Sequence, residues 1–286
     1  MQEPRQRPRR SLLFVPAGQP HRIAKAATLP ADSIIIDLED AVDPSQKSQA
    51  RREAAAAIHQ LDFGPREIIL RINGPHSSEF GHDLQSLKEL STLPAVIALP
   101  EVESAADVAS LAQFLDQHNL PCGVLPMIES ARGVLAAAHI AAASPRVTAL
   151  MFGGHDFSAD IGTAYCWEAT LLARAQIVLG AAANGIDAID TPWIDLDDAS
   201  GLGAECARAR QLGFAGKAAI HPNQLETIDA AFSPTAEEVK RAKELLGWAD
   251  SQGSGASRFD GKMVDQATIQ VARQILRRAQ PPQTKG

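Results

Sequence analysis

Acidic residues follow several short apolar runs of this 286-residue sequence, and carboxylates spaced in this way could hold a divalent cation. Glu129 comes directly after CGVLPMI, and Asp156 follows MFGGH. Converging carboxylates repel one another unless a cation neutralises them, and Mg²⁺ favours one or two carboxylates completed by water. We therefore predict Glu129 and Asp156 as Mg²⁺ ligands. The alternative is that each residue caps the helix that follows it.

One arginine, Arg71, lies inside the apolar run EIILRIN, where an unpaired guanidinium would be costly. It must meet an anion, which is either a neighbouring carboxylate or a ligand oxygen bound by its planar fork. The acidic residues of the DLED segment are Asp37, Glu39 and Asp40. They either hold the ligand-binding residues in place without touching the ligand or form ordinary salt bridges to a residue such as Arg71. Strand alternation predicts that at least one of them points outward from the interior of the fold.

Two histidines lie close to these residues in the sequence. His155 immediately precedes Asp156 and could ligate a metal, although one histidine beside a ligand is a weak signal. His221 precedes Pro222 and is either a core or turn histidine or a direct substrate contact.

These side chains require a scaffold that brings the ends of several strands together. Eight continuous apolar runs alternate with helical segments, and continuous runs are typical of strands buried on both faces. The runs cover residues 11–17, 32–40, 67–73, 95–102, 122–129, 147–153, 187–194 and 216–221. Alternating β and α units predict parallel pairing, and eight of them predict an α/β fold of the TIM (β/α)8 barrel type with its chemistry at the carboxyl ends of the strands. The alternative is a doubly wound open sheet.

Helical spacing predicts helices over Lys47–His59 and Ser104–His118, and both Ser104 and Ser130 are typical N-caps. The predicted division is a disordered basic arm over residues 1–10, a barrel over 11–232, a C-terminal helical extension or lid over 233–280, and a disordered tail over 281–286. The arginines of the arm are interpreted as solvated; they are Arg5, Arg7, Arg9 and Arg10. The extension is predicted to hold helices over 236–250 and 266–279, joined by a Gly/Ser linker, Ser251–Ser257.

The composition is that of an ordinary soluble protein, with 45% hydrophobic and 21% charged residues. A net charge of −7 argues against nucleic acid as a partner, and no apolar stretch approaches the roughly 20 residues of a membrane span. The three cysteines, Cys122, Cys166 and Cys206, form no CxxC and no zinc spacing. They indicate a reducing compartment, and we expect a cytoplasmic protein.

Several motifs, taken together, resemble those of the citrate lyase β-subunit-like family within the aldolase/citrate lyase superfamily. They are RRSLLFVPAGQP, IIIDLEDAVDPSQKSQAR, LRIN, LPEVESAADV, MIESARGV, ALMFGGHDFSADIG, GKAAIHPNQ and FDGKMVD, and the resemblance runs over about residues 10–276. The resemblance implies a TIM barrel, Mg²⁺ and an acyl-CoA-type substrate. It also implies a homotrimer or hexamer whose C-terminal segment crosses to a neighbour.

The resemblance also implies roles for individual residues. Glu129 and Asp156 match the family's metal ligands, with Glu129 also at the substrate. Arg71 matches a contact to the substrate carboxylate and thioester. Asp265, in GKMVD, matches a catalytic acid/base delivered by the C-terminal segment. To hold a proton near neutral pH, Asp265 needs a pKa raised by burial under a lid.

Arg22 and Lys25, in PHRIAKA, lie where similar proteins contact the phosphates of CoA. The sequence departs from its relatives at three positions. Glu101 stands where many have Lys, His155 where several have Glu or an apolar residue, and Ala17 where Gly is frequent. These departures leave the identity of the substrate open.

The expected activity is that of a Mg²⁺-dependent carbon–carbon lyase acting on a β-hydroxyacyl-CoA of the citramalyl-CoA or malyl-CoA type. A retro-Claisen cleavage would release acetyl-CoA and a 2-oxo acid. The alternatives are a citrate lyase β subunit acting on citryl-acyl carrier protein, a malyl-CoA thioesterase, a metal-dependent 2-oxo acid aldolase, and a non-enzymatic structural or regulatory subunit. The sequence does not distinguish these substrates, because one methyl group changes discrimination by only about 1–3 kcal/mol.

Overall fold

The computed structural model of the protein describes residues 8–252, 257–260 and 262–279. These residues form two compact units. One covers residues 9–232, and the other contains the described residues from 233 onward together with residue 8. The predicted arm up to residue 7 and the tail 281–286 lie outside the described residues.

The first unit is a closed barrel of eight parallel strands in the order β1 to β8. The strands are β1 (Ser11–Pro16), β2 (Ser33–Asp37), β3 (Glu67–Arg71), β4 (Val96–Leu99), β5 (Gly123–Ile128), β6 (Ala149–Phe152), β7 (Asp187–Asp190) and β8 (Gly216–Ala219). All eight predicted strands are present, and closure between β8 and β1 excludes the open sheet. The TIM barrel is confirmed.

Helices surround the barrel and follow its strands. They are α1 (Pro20–Ala26), α2 (Lys47–Gln60), α3 (Phe80–Glu89), α4 (Ala105–Gln117), α5 (Ala131–Ala142), α6 (Gly154–Asp160), α7 (Trp167–Ala183), α8 (Ala199–Leu212) and α9 (Leu225–Phe232). Ser104 forms a capping box with Asp107 at the start of α4, and Ser130 caps α5 through a 3.1 Å bond from the Gly133 amide. Both predicted caps are confirmed.

Strand alternation divides the buried side chains into an outer layer beneath the helices and a smaller cluster inside the barrel. The inner cluster includes Leu12, Ile35, Ile69, Met127 and Met151. Two residues further along the same strands, on the same inward face, four of the five side chains are polar or small, and only β1 keeps a large apolar residue, Phe14. The residues at these positions are Phe14, Asp37, Arg71, Glu129 and Gly153. The barrel therefore places the predicted site directly above its own core.

The last arginines of the predicted arm belong to the barrel, so their interpretation as solvated residues is wrong. Arg9 is buried and donates to both carboxylate oxygens of Glu67 at 2.7 and 2.8 Å. Arg10 pairs with Asp32 at 2.7 Å. The physical reason is that both arginines stand at the entrance to β1, beside acidic residues that precede β2 and begin β3.

The second unit contains α10 (Ala236–Gln252), a hairpin of β9 (Ser257–Phe259) and β10 (Lys262–Val264), and α11 (Gln266–Arg278). Trp248 packs against Phe259 with ring centroids 5.4 Å apart. The predicted linker is partly wrong, because its first two residues continue α10 and its last begins β9, while residues 253–256 lie outside the described part of the chain. No helix among the described residues is long and apolar enough to cross a membrane.

Candidate functional site

Arg71 and Asp37 end neighbouring strands and face each other in the ladder, where they form a bidentate ion pair. They are register partners between β2 and β3, so the pairing of the strands itself aligns the two side chains. The Nε and Nη2 atoms of Arg71 donate to the Asp37 carboxylate at 2.7 and 2.6 Å. Both residues are buried, and desolvation of the guanidinium is compensated by the charge of Asp37, so the pKa of Arg71 lies above its usual value.

The other two residues of the DLED segment approach the same guanidinium. Arg71 Nη1 lies 2.6 Å from Glu39 Oε2 and 3.7 Å from Asp40 Oδ2. The Asp40 side chain is 76% exposed, so one of the three carboxylates faces solvent, but it lies in the turn after β2, where strand alternation does not determine its direction. Burial raises the pKa of Glu39, with Arg71 opposing that shift and Glu129 adding to it. The sequence allows Arg71 to meet either a neighbouring carboxylate or a ligand oxygen. In the structure it meets the carboxylates of Asp37 and Glu39.

Glu129 follows β5 and has its carboxylate held between two backbone segments. Its Oε2 accepts a 2.8 Å hydrogen bond from the amide of Glu101, and the residue is only 9% exposed. Burial raises the pKa of Glu129 to about 7. The Glu101 hydrogen bond and the charge of Arg71 lower this pKa, whereas the charge of Asp156 raises it further. Since Ser130 caps α5, Glu129 is not the helix cap of the alternative interpretation.

Glycines make room for this carboxylate and for its neighbour. A Cβ at Gly153 would lie 2.8 Å from Glu129 Oε1 and 2.4 Å from its Cγ, so a side chain there would displace the glutamate. A Cβ at Gly74 would similarly lie 2.1 Å from Glu101 Oε2. Glu101 has a φ of 54°, a left-handed conformation that costs about 1–3 kcal/mol in a non-glycine residue and turns its amide toward Glu129.

Asp156 is exposed in the first turn of α6, three residues after Gly153. Glu129 Oε1 approaches the same segment, and the charge of Asp156 raises the pKa of Glu129. The structure therefore brings the two predicted metal ligands within electrostatic reach of each other. Among the described residues, no group of three or more His, Cys, Asp or Glu side chains is arranged to hold a metal ion.

The two histidines have different surroundings. The ring of His155 stacks on Tyr165 with centroids 4.0 Å apart, and burial lowers its pKa. His221 caps the short turn at Pro222–Gln224 by accepting a 3.2 Å hydrogen bond from the Asn223 amide. Its position fits the turn-histidine interpretation.

Arg22 and Lys25 are exposed on α1, three residues apart, and so lie on one side of that helix. Asp265 belongs to the second unit, where it caps α11 by accepting 2.8 Å hydrogen bonds from the amide and hydroxyl of Thr268. These bonds lower the pKa of Asp265, and the residue is exposed. The expectation of a raised pKa is therefore wrong for the chain by itself, because in the part of the chain that the structure describes Asp265 is exposed and the Thr268 hydrogen bonds outweigh desolvation.

A second charged cluster was not anticipated from the sequence. Arg174 and Lys217, both fully buried, share Asp190 at 2.9 and 2.8 Å, and Lys217 also meets Glu205 at 2.6 Å. Arg174 donates to the hydroxyl of Tyr165, which donates to Glu205. The sequence feature that could have indicated this cluster is Lys217 within the apolar run GKAAIH. A cation buried in a strand requires an anion, as Arg71 does.

Two curated proteins similar to this chain have names that refer to CoA esters. It is 33% identical to the human mitochondrial citramalyl-CoA lyase, over 94% of this chain and 85% of that protein. It is 36% identical to a (3S)-malyl-CoA thioesterase of Cereibacter sphaeroides, over 96% and 95% of the two chains.

A solved structure of the protein CitE from Mycobacterium tuberculosis, in complex with magnesium, acetoacetate and coenzyme A, is also similar. It superposes with a TM-score of 0.80 at 34% identity and covers 97% of this chain and 99% of its own. Residues 10–222 match the family described as HpcH/HpaI aldolase/citrate lyase. This chain, with its closed barrel and with Arg71 and Glu129 above the barrel core, belongs to the HpcH/HpaI aldolase/citrate lyase family.

Proposed function

We propose that the protein is a Mg²⁺-dependent carbon–carbon lyase that cleaves a β-hydroxyacyl-CoA of the citramalyl-CoA or malyl-CoA type into acetyl-CoA and a 2-oxo acid. The observation that supports this most is the buried carboxylate of Glu129, whose pKa is raised to about 7 with Asp156 within electrostatic reach. Such a carboxylate is stabilised by an added cation. The similarity to citramalyl-CoA lyase supports the substrate class.

Glu129 and Asp156 would hold the metal. Gly153 leaves the space into which Glu129 Oε1 is directed, and two carboxylates without a third ligand group suit an ion that keeps water and substrate oxygens in its shell. The CitE structure, which is complexed with magnesium, is consistent with this assignment. A bound Mg²⁺ supplies a Lewis acid for the substrate hydroxyl and carboxylate.

Arg71 would bind and stabilise negative oxygen. A guanidinium has five N–H donors, of which Asp37 takes two and Glu39 lies against a third nitrogen, so N–H groups remain for a ligand. Because Asp37 fixes the fork before any substrate arrives, the donors are preorganised, and one such donor is typically worth about 3–4 kcal/mol in the transition state.

In the proposed reaction, the bond between the thioester α-carbon and the hydroxyl-bearing carbon breaks. The hydroxyl proton passes to water and the carbon that bears the hydroxyl becomes the ketone of the 2-oxo acid, while the bonding pair passes to the α-carbon as a thioester enolate. Asp265 would donate the proton that converts this enolate into acetyl-CoA. Since Asp265 is exposed and its pKa is lowered in the chain alone, this role requires burial elsewhere, which we assign to the site of a neighbouring subunit.

We further propose that the protein is a homotrimer or hexamer in which the C-terminal segment crosses to that neighbour. Arg22 and Lys25 would bind the phosphates of CoA from their exposed side of α1. We propose a cytoplasmic location, and the free thiols of Cys122, Cys166 and Cys206 support a reducing compartment.

A thioesterase is the second candidate, because a malyl-CoA thioesterase is 36% identical over nearly the whole chain. The same residues could bind the same ester while water attacks the thioester carbonyl, which would release free CoA and the hydroxy acid. The two reactions therefore differ in their products and not in the groups that bind the substrate.

The test is a panel of CoA esters incubated with the protein and Mg²⁺, with 2-oxo acid, acetyl-CoA and free thiol measured together. A lyase releases pyruvate or glyoxylate with acetyl-CoA, loses activity in EDTA and regains it with Mg²⁺. Glu129→Gln keeps the shape of the side chain but removes its charge, and we expect that variant to be inactive. Turnover that resists EDTA would remove the metal from the proposal, and free CoA without 2-oxo acid would favour the thioesterase.

A further inference from the structure

Lys47, the first residue of α2, has a buried side chain near the site that contacts no carboxylate among the described residues. The residue is 8% exposed. Its Nζ atom donates to the backbone carbonyls of Leu38 and Glu39, both at 2.7 Å, and to Asn73 Oδ1 at 2.8 Å. An ammonium group has three N–H donors, so these three acceptors satisfy it completely.

The acceptors of Lys47 belong to the two segments that carry the Arg71 ion pairs. Leu38 and Glu39 form the turn directly after Asp37, and Asn73 lies two residues after Arg71. The same turn holds the Asp37 carboxylate, because the amide of Glu39 donates to Asp37 Oδ1 at 2.9 Å. One ammonium group therefore ties the end of β2 to the end of β3 at the level of the ion pair.

The orientation of Asn73 is fixed from the other side. Its backbone amide and its Nδ2 atom both donate to Asp83 Oδ2, at 2.7 and 2.6 Å, which turns its side-chain oxygen toward Lys47. Asp83 in turn accepts from Arg51 Nε at 2.6 Å. Asn73 Oδ1, which accepts from Lys47 after β3, is therefore held in place by a network of hydrogen bonds through Asp83 and Arg51.

A purely stabilising role is a poor explanation for this lysine. Burying an ammonium group is costly, and its partners here are neutral dipoles rather than a carboxylate. An apolar side chain would avoid the cost of burying a charge, although the carbonyls of Leu38 and Glu39 and the Asn73 Oδ1 atom would lose this donor. What the ammonium adds is a fixed position for two carbonyls in the turn that carries Asp37 and Glu39.

We propose that Lys47 is a positioning residue that holds the Asp37–Glu39 turn against Arg71. In this way both carboxylates stay on one side of the guanidinium and its remaining N–H groups stay directed at the ligand. The identity of the ligand that those N–H groups bind rests on the proposed function. The restraint that Lys47 places on the turn is independent of it.

The test compares Lys47→Met with Arg66→Met. Arg66 is a matched control because it also donates to two backbone carbonyls, of Leu29 at 2.6 Å and Phe63 at 3.0 Å, but precedes β3 at the opposite end of the barrel. Lys47→Gln, which keeps amide donors on a shorter side chain, serves as a milder variant if the methionine variant does not fold.

The first readout is amide hydrogen exchange of the segment with Glu39 and Ala41, whose amides donate to Asp37 at 2.9 and 3.3 Å. In Lys47→Met this segment should exchange at least about tenfold faster than in the wild type, and in Arg66→Met it should not change. Unchanged exchange in Lys47→Met, or an equal increase in both variants throughout the barrel, would overturn the proposal.

The second readout is calorimetric binding of Mg²⁺ alone and of pyruvate with Mg²⁺ present. Pyruvate affinity should fall by about tenfold in Lys47→Met, as is usual when a supporting partner is removed, while Mg²⁺ affinity stays within twofold. If both affinities change equally, the turn does not act through Arg71. If the wild type neither binds pyruvate nor releases a 2-oxo acid, the proposed function fails, and the exchange comparison still decides the role of Lys47.

Discussion

At the scale of single residues, the site brings several carboxylates together around one guanidinium. Asp37 and Glu39 contact Arg71 directly, whereas Glu129 is buried without a cationic partner of its own among the described residues. Burial, partly offset by the Glu101 amide, raises the pKa of Glu129 to about 7. Ionised Glu129 therefore destabilises the metal-free protein and at the same time provides the charge that a metal requires.

This raised pKa gives the proposed metal site a definite pH dependence. A group whose pKa is higher in the folded than in the unfolded protein contributes stability that is complete below its ordinary pKa of about 4.3. That stability is lost as the pH rises through about 7. Mg²⁺ needs the ionised form and gains affinity over the same range, so we expect binding about tenfold weaker at pH 6 than at pH 8, measured by calorimetry.

Two observations would check this interpretation of Glu129. Binding of Mg²⁺ should release a proton near neutral pH, which calorimetry in buffers of different ionisation enthalpy detects. Glu129→Gln should bind Mg²⁺ weakly and with no pH dependence in this range. Equal affinity of the wild-type protein at both pH values would mean that Glu129 is not the titrating ligand.

At the scale of elements, the sequence predicts the strands and the position of the site because both follow from local patterns. Continuous apolar runs mark the barrel strands, and alternation along β2, β3 and β5 carries Asp37, Arg71 and Glu129 to the same face. The alternation also requires an anion for Arg71. Local patterns do not contain the identity of that anion, which depends on the strand register between β2 and β3.

Contacts that are distant in sequence account for the errors. A basic run such as PRR is typical of a solvated arm, and only the folded barrel brings Glu67 to Arg9. The pKa of Asp265 depends on whether the carboxylate is covered, which no spacing encodes. The sequence indicates only an ordinary helix residue at Lys47, because the three acceptors of its side chain lie in other segments.

The cluster between β7, β8 and the surrounding helices makes a prediction about stability. Asp190→Asn keeps the shape of the side chain but leaves Arg174 and Lys217, both fully buried, with Glu205 as the one remaining carboxylate paired with them among residues 8–252. Breaking a buried ion pair by removing one partner typically costs about 3–5 kcal/mol. We expect a decrease of that size in the free energy of unfolding, measured by urea denaturation.

An exposed ion pair provides the control for Asp190. Arg146 meets Asp116 at 2.6 Å, and the Asp116 side chain is 68% exposed. Because solvent screens such a pair, Asp116→Asn should cost less than about 1 kcal/mol. Equal losses in the two variants would show that the buried cluster contributes no more to stability than a surface pair does.

At the scale of the whole molecule, the proposed reaction depends on two units of the chain. Arg71, Glu129 and Asp156 belong to the barrel, and Asp265 belongs to the C-terminal unit, where it caps α11 in full exposure. A catalytic acid needs a desolvated environment to keep its proton near neutral pH. If a neighbouring subunit provides that environment, each active site combines residues from two copies of the chain.

This arrangement predicts that two inactive variants restore activity when they are mixed. Arg71→Ala lacks the barrel group, and Asp265→Asn lacks the acid but keeps an N-cap for α11, since asparagine caps helices as well as aspartate does. In randomly mixed oligomers, one half of the sites have an intact Arg71, and one half of those receive an intact Asp265 from the neighbour. The expected recovery is therefore about one quarter of wild-type activity.

The mixing experiment uses co-refolded or co-expressed chains carrying different tags, assayed for 2-oxo acid release. The control mixes Arg71→Ala with Glu129→Gln, two barrel variants that share one site and should not restore each other. Activity that stays at the level of the separate variants after confirmed mixing would place Asp265 in the site of its own chain or outside the reaction. Recovery in the Arg71 and Asp265 mixture alone would assign the acid to the neighbouring subunit, because no single chain in that mixture carries both groups.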